Sequence, residues 1–233
     1  MSNIGKLFFI IFFIATINSF AQTKKTGTVL ANKMDSISYS IGMNLVKTYL
    51  LDKQLGDVNL NLVAQGIKDY TSEKGPLIKE EKCNEMLMKY QTEIQQKTFA
   101  AASENNKKEG EEFLAKNKSE AGVIALPSGL QFKVITSGKG NTPTLTDTVI
   151  VHYKGSFING QVFDDTQQRK KPVVVPLNAV IKGWQEALLM MKEGDKWIIY
   201  VPSSLAYADK GFSTIVGPNQ TLIFEIELVG VKK

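Results

Sequence analysis

The sequence contains a single cysteine, Cys83, and a single histidine, His152, among 233 residues. One cysteine cannot form an internal disulfide, and Cys83 has no histidine near it in the sequence, so a packing or surface thiol is favoured over a nucleophile. His152 alternates with Val151 and Tyr153 in a strand-like stretch, and one histidine falls short of the three or four donors of a zinc site. These scarcities count against metal-dependent hydrolysis and against a catalytic triad.

Motifs for nucleotide and serine chemistry are also missing. The chain has no G-x-S-x-G, no Walker loop and no dinucleotide fingerprint. The formal net charge is only +5, and lysines alternate with glutamates, as in KEGEEFLAKNKSE. That pattern is typical of a solvated helix surface, so we expect no nucleic-acid partner.

A long apolar run occurs at the N-terminus. Lys6 precedes an apolar stretch from Leu7 to Ile17, and small residues follow up to Ala21. This arrangement predicts a signal peptide over residues 1–21, cleaved between Ala21 and Gln22. The run is too short for a comfortable transmembrane helix, so we expect an exported protein, in a bacterial periplasm, without stable membrane insertion. An uncleaved signal acting as a membrane anchor is the alternative.

Helical periodicity dominates residues 22–120. We expect Asp35 to cap a first helix and a second helix to lie near Asn59–Tyr70. From about Lys79 to about Lys118 a proline-free, polar pattern predicts one long helix that cannot be buried. Two short apolar helices and a polar rod would form a small core alone. A homodimer through the N-terminal helices is therefore favoured over a monomer.

The hydrophobic period changes to two near Gly122–Pro127, where a domain covering residues 121–233 is expected to begin. Strands are predicted at TVIVHYKGSF, DKWIIYVP and QTLIFEIELVGV, and Asn159-Gly160 predicts a hairpin turn. The clear helix of this half lies within NAVIKGWQEALLMMKEGDKW. We predict an α+β fold in which this helix covers the apolar face of an antiparallel sheet.

Aromatic residues stand near the predicted turns and strand ends of this half, beside two acids, Asp164 and Asp165. The aromatics are Tyr153, Phe163, Trp184, Tyr207, Phe212 and Phe224. If they converge, they form an apolar cleft with few polar groups; if not, they are ordinary core residues.

Several short motifs stand in a recognisable order between residues 149 and 231: V-H-Y, N-G-x-x-F-D, V-I-x-G-W, A-Y and T-L-x-F. This segment resembles the FKBP family of peptidyl-prolyl cis/trans isomerases. The upstream segments SISYSIGMNL, GIKD and EGEEFLAKNKSEAGVIALPSGLQFKV resemble its exported, Mip/FkpA-like bacterial branch. In that branch N-terminal helices dimerise the protein and a long helix carries the isomerase domain.

The resemblance implies a role for particular residues. Trp184 matches the floor of a proline pocket, Val180 and Ile181 match the pair beside it, and the Ile181 N–H matches a donor to a substrate carbonyl. Asp164 matches the acid beside the pocket and Tyr207 the hydroxyl donor. The remaining matches are walls and flap: Tyr153, Phe163, Val173, Phe212, Ile215, Val216 and Phe224.

Three positions depart from the family pattern. Val173 stands where an aromatic residue is common, Phe212 where eukaryotic members often have histidine, and Ala208 where glycine is usual. Ala208 is strained if the backbone there has a positive φ, which glycine tolerates and alanine does not.

The implied activity is rotation of X–Pro bonds without a cofactor, with Asp164 orienting the pocket electrostatically rather than acting as a general base. The expected partners are proline-containing unfolded or nascent exported proteins, whose folding a dimer would assist. The alternative is a non-catalytic protein, a chaperone or interaction module, that binds proline segments without turnover.

Overall fold

The structure is a computed structural model that describes residues 29–51 and 58–233. The predicted signal peptide lies outside the described residues. The chain divides into two compact units between Thr71 and Ser72. The long helix groups with the C-terminal unit, whereas the sequence prediction placed it with the N-terminal helices; the proposed boundaries at 22–120 and 121–233 stay predictions.

The N-terminal unit contains two short helices. Helix α1 spans Lys33–Leu45 and continues as a π-helical turn over Val46–Leu51, and α2 spans Leu60–Tyr70. The expected cap of α1 is wrong, because the Asn32 side chain, not that of Asp35, accepts from a first-turn amide, the Asp35 N–H. Asp35 instead lies in the first turn, where its carboxylate accepts from the Ala31 N–H at 2.9 Å. Its negative charge there also interacts favourably with the positive end of the helix dipole.

Helix α2 begins where the sequence predicted. The Asn59 side chain accepts from the N–H groups of Asn61 and Leu62, two donors that the first turn of a helix leaves without intrahelical partners. Neither α1 nor α2 has a buried residue in the single chain. Their apolar stripes are therefore open to solvent or to a partner.

Helix α3 spans Glu80–Asn117, and its polar surface explains why its buried residues are only Gly110 and Asn117. Its last turns pack on the sheet that follows. The Asn117 Nδ2 donates to Gln131 Oε1 at 2.9 Å, and the Gln131 Nε2 donates to the Leu114 carbonyl at 2.8 Å. The buried Gln131 side chain is thus satisfied by the helix.

In the described part of the chain, seven antiparallel strands form one sheet in the order β1-β2-β6-β7-β3-β4, with β5 also paired to β3. The strands are β1 Val123–Ala125, β2 Gln131–Thr136, β3 Thr148–Phe157, β4 Val162–Asp165, β5 Val173–Pro176, β6 Lys196–Val201 and β7 Leu222–Lys232. Strands β3 and β4 form the hairpin predicted at Asn159-Gly160, where Gly160 has φ +85°. Short 3-10 turns cover Leu177–Ala179, Ser203–Leu205 and Ala208–Lys210.

Helix α4, Lys182–Leu188, covers one face of this sheet. The period-2 residues of β7 that face it, Leu222, Phe224, Ile226 and Leu228, are all buried. Gly183 is necessary for the contact, since a Cβ there would lie 2.5 Å from Val201 Cγ1. The α+β fold with one short helix against an antiparallel sheet is confirmed. The alternation of Leu130, Phe132 and Val134 predicts that all three are buried on one face of a strand; Leu130 and Phe132 are buried, but Val134 is 40 % exposed, next to a register shift near the end of β2.

Among the described helices, none combines the length and apolarity that crossing a membrane requires.

Candidate functional site

The aromatic residues picked out in the sequence converge on one cleft of about 560 Å³ between α4 and the sheet. Trp184 lies at its centre and is 6 % exposed. Its ring meets Tyr153 edge-on at 4.9 Å between centroids, and it meets Phe224 edge-on at 5.3 Å. Perpendicular contacts of this kind are favourable for aromatic rings and hold the three side chains in fixed orientations.

Phe163 completes this aromatic wall from the short strand β4. Its ring is edge-on to Phe224 at 5.8 Å. Gly155 of β3 makes the contact possible, because a Cβ at that position would lie 2.7 Å from Phe163 Cζ and 3.0 Å from Phe224 Cε1. The close approach of the two rings therefore depends on a residue that has no side chain.

Hydrogen bonds from α4 fix the segment that precedes Trp184, residues 178–181. The Ile181 carbonyl accepts from the N–H groups of Trp184 and Gln185 at 3.0 and 3.1 Å, which begins the helix. The buried Gln185 Nε2 donates to the carbonyls of Val180 and Asn178, at 2.8 and 3.2 Å. These bonds leave the Val180 and Ile181 side chains lining the cleft. In the described residues, the Ile181 N–H donates to no backbone group.

Asp164 is the acidic group of the cleft, and it is already engaged. It accepts a hydrogen bond from the Tyr153 hydroxyl and forms an ion pair with Arg169, with 3.0 Å between Asp164 Oδ1 and Arg169 Nη2. Burial, and then the Asp164 acceptor, raise the pKa of Tyr153 to about 12. Tyr153 therefore stays a protonated donor at neutral pH.

Tyr207 lies across the cleft and stacks on Phe212, with ring centroids 4.8 Å apart and an interplanar angle of 21°. Burial, and then the charge of Asp164, raise the pKa of Tyr207, so its hydroxyl is also protonated at neutral pH. It can donate a hydrogen bond but cannot act as an anionic base.

A flap over residues 211–216 forms the outer wall. Phe212 and Val216 exchange two backbone hydrogen bonds of 2.8 and 3.0 Å. Val216 is buried, whereas Phe212 and Ile215 are each 53 % exposed at the rim. The flap thus presents apolar side chains to whatever occupies the cleft.

All twelve residues named from the sequence line this cleft, together with three that were not named: Arg169, Val175 and Ala179. A signal existed for Val175, because it lies two residues beyond Val173 on the same strand and shares its face. No local pattern marks Arg169, whose loop must fold back before its guanidinium reaches Asp164.

The geometry describes a class of site, an apolar aromatic cleft with a few hydroxyl and N–H donors at its edge. The comparisons with known proteins agree with it. A family model described as FKBP-type peptidyl-prolyl cis-trans isomerase matches residues 139–229, and one described as the domain amino terminal to that isomerase matches residues 34–134. The chain belongs to the FKBP-type peptidyl-prolyl cis-trans isomerase family.

Relatives match along most of the chain. "Outer membrane protein MIP" of Legionella longbeachae is 41 % identical, over 92 % of this chain and 93 % of its own length. "Peptidyl-prolyl cis-trans isomerase Mip" of Coxiella burnetii is 37 % identical, over 91 % and 92 %. The crystal structure of FkpA from Escherichia coli superimposes with a TM-score of 0.74 at 29 % identity, covering 88 % of this chain and 99 % of that one. The sequence-based assignment to a peptidyl-prolyl isomerase of the Mip/FkpA type is confirmed.

Proposed function

We propose that the cleft around Trp184 is where this isomerase rotates X–Pro bonds, with the proline ring against the indole. The observation that carries the proposal is the meeting of four aromatic rings, Tyr153, Phe163, Trp184 and Phe224, in a cleft large enough for a proline and its neighbours. An apolar ring of that size fits an apolar floor, and the polar groups of the peptide reach the edge.

The chemistry requires no bond to be made or broken. Resonance keeps the X–Pro amide planar, with a barrier of about 20 kcal/mol and uncatalysed exchange over tens to hundreds of seconds. The planar form is the more polar one, so water stabilises it, while the twisted form has lost the resonance. A dry aromatic cleft therefore favours the twisted amide relative to solution, which lowers the barrier.

Two donors are placed to hold the peptide during the twist. The Ile181 N–H, without a backbone acceptor in the described residues, is available to one substrate carbonyl. The Tyr207 hydroxyl, kept protonated by burial, is available to another. Fixing both sides of the rotating bond confines the motion to that bond.

Asp164 has a different role in this proposal. Its oxygens already accept from Tyr153 and pair with Arg169, so it orients the cleft and sets its potential rather than removing a proton. This supports the sequence-based expectation that it is no general base.

The test is isomerisation of a short X–Pro peptide by Asp164→Ala and Tyr207→Phe variants. We expect Tyr207→Phe to lower kcat/KM by about five- to tenfold, the effect of one lost hydrogen bond, and Asp164→Ala to lower it at least as much, because it removes both the acceptor of Tyr153 and the ion pair with Arg169. Asp165→Ala and Tyr200→Phe are matched controls, because neither residue lines the cleft, and both should keep wild-type activity. Peptide binding by the wild type without acceleration would instead make the cleft a recognition device.

We further propose a homodimer formed through the N-terminal helices. Ile41 of α1 is 62 % exposed, and Leu62 and Ile67 of α2 are 69 % and 52 % exposed. Burying such exposed apolar surface is favourable, and a second copy of the chain has a matching surface with which to bury it. Two clefts on one dimer would grip one unfolded, proline-containing client with raised effective concentration.

The fragment Ser72–Lys233 tests this arrangement, since it keeps α3 and the sheet in one unit. We expect the full chain to sediment as a dimer and the fragment as a monomer, with equal turnover of a short peptide. Refolding assistance to a proline-rich client should fall in the fragment. A monomeric full chain, or equal assistance by the fragment, would contradict the proposal.

Export is the last part of the proposal. It is supported by the leader-like residues 1–21 and by the name of the Legionella longbeachae relative, "Outer membrane protein MIP". The intact mass of the protein expressed in a bacterium with its leader tests it. A mature N-terminus at Gln22 is expected, and a chain retaining Met1 in the membrane fraction would favour the anchored alternative.

A further inference from the structure

Helix α3 lies against the segment that links the flap to strand β7. Gly110 of α3 approaches Thr221 so closely that a Cβ on Gly110 would lie 2.3 Å from the Thr221 Oγ1. Glycine in a helix interior costs about 1 kcal/mol relative to alanine, so its presence here is explained by the close approach. The backbone of α3 at Gly110 thus packs directly against the side chain of Thr221, the residue just before β7.

One turn earlier, α3 holds the same segment by side-chain hydrogen bonds. The Asn106 Nδ2 donates to the Pro218 carbonyl at 2.8 Å, and the Asn219 Nδ2 donates to the Ser103 Oγ at 2.8 Å. Asn219 has φ +53°, a conformation that costs a non-glycine residue free energy unless its surroundings hold it. The bond that Asn219 donates to Ser103, together with the bond that Asn106 donates to the preceding Pro218 carbonyl, supplies such restraint.

This segment is directly connected to the cleft. Val216, a buried residue of the cleft wall, lies two positions before Pro218. The Asn219 N–H donates to the Ala208 carbonyl at 2.7 Å, and Ala208 follows Tyr207 in the chain. A displacement of Pro218 and Asn219 is therefore transmitted to both the flap and the proposed hydroxyl donor.

We propose that Asn106 is a positioning residue of the isomerase, with Ser103 as a second anchor of the same segment: from helix α3 it fixes the flap and Tyr207 without touching the substrate. The helix that carries the isomerase domain is then also part of the support of its cleft. The inference rests on the proposed location of activity in the Trp184 cleft.

The chain offers a matched control in the neighbouring Asn105. Asn106 is half-buried and donates to Pro218, just after the flap, whereas Asn105 is exposed on the same helix. Asn106→Ala and Asn106→Asp both remove the donor to the Pro218 carbonyl, and Asn105→Ala makes the same truncation without removing that bond. Full-length protein is used throughout, with Tm recorded for each variant.

Two readouts test the proposal. With a short X–Pro peptide, both Asn106 variants should raise KM by about three- to fivefold, the scale of one lost hydrogen bond, with kcat within about twofold of wild type. Hydrogen exchange at the Phe212 and Val216 amides, which bond each other across the flap, should accelerate, while exchange at Ile226 in β7 stays unchanged. Asn105→Ala should behave as wild type in both.

The outcomes separate this inference from the proposed location of activity. If flap exchange accelerates and KM is unchanged, the helix restrains the flap but the flap does not shape the working cleft, and the inference is wrong. If neither readout differs from that of Asn105→Ala, or if exchange accelerates equally at Ile226, Asn106 has no specific positioning role. Loss of activity in Tyr207→Phe with no effect of Asn106→Ala would keep the cleft and reject the support by α3.

Discussion

Replacing Ala208 by glycine should stabilise this protein. Ala208 has φ +50°, in the left-handed region, and it begins a short 3-10 turn over Ala208–Lys210 right after Tyr207. The Asn219 N–H donates to its carbonyl, so the turn cannot relax without losing that bond. Glycine is the residue that the resemblance to the family leads one to expect here, and the positive φ gives a physical reason for it.

The size of the effect follows from two opposing contributions. A non-glycine residue in the left-handed region costs about 1–2 kcal/mol, which glycine removes. Glycine also gives the unfolded chain more freedom, which costs about 0.4–1 kcal/mol. With the middle of each range, the net gain in the free energy of unfolding is about 0.8 kcal/mol, which corresponds to a rise in Tm of about 2–3 °C for a chain of this size.

Thermal and urea unfolding of Ala208→Gly measure this gain, and Ala101→Gly is the matched control. Ala101 is exposed in the interior of α3, so the same substitution there should destabilise by about 1 kcal/mol. Peptide turnover by Ala208→Gly should not fall, since Tyr207 keeps its place. A loss of stability equal to that of the Ala101 variant would refute the reasoning, because it would mean that alanine is not strained at position 208.

Two further predictions concern the cleft itself. Gly155→Ala should lower kcat/KM by about tenfold or more, because the new Cβ would lie 2.7 Å from Phe163 Cζ and push the ring out of place; Gly66→Ala in α2, where a Cβ meets nothing within 4 Å, is its control. Tyr153 has its pKa raised from 10.0 to about 12 by burial and by donation to Asp164. Its protonated form therefore contributes stability that is complete below pH 10 and is lost as the pH rises toward 12. Tyr153→Phe should lower Tm at neutral pH yet show a smaller fall in Tm across that alkaline range, and an unchanged alkaline fall would contradict the assignment.

Much of the fold could be predicted from the sequence because its signals are local. The period-2 pattern of β7, the Asn159-Gly160 turn and the proline-free polar run of α3 each depend on neighbours within a few residues. For α4 the apolar run predicts Leu188, Leu189 and Met191 on the buried face, and this is right for Leu188 and Met191 but wrong for Leu189, which is 39 % exposed. The predicted cap of α1 was wrong because asparagine and aspartate both suit the N-cap position. Only the folded backbone shows that Asn32, and not Asp35, accepts from the first turn.

Sequence by itself therefore determined the family, the long helix, the strands β3, β6 and β7 with the hairpin that leads to β4, and most of the residues that line the cleft, through motifs whose spacing is preserved along the chain. Tertiary structure alone decided the positive φ of Ala208, the pairing of Arg169 with Asp164, and the contact of Asn106 with Pro218. The angle at Ala208 and the ion pair of Arg169 depend on how their loops fold. The contact between Asn106 and Pro218 joins residues that are more than a hundred positions apart in the sequence. The physical reason is that side-chain periodicity reports which face of an element is buried, whereas the partner of a given polar group is set by how the whole chain folds back on itself.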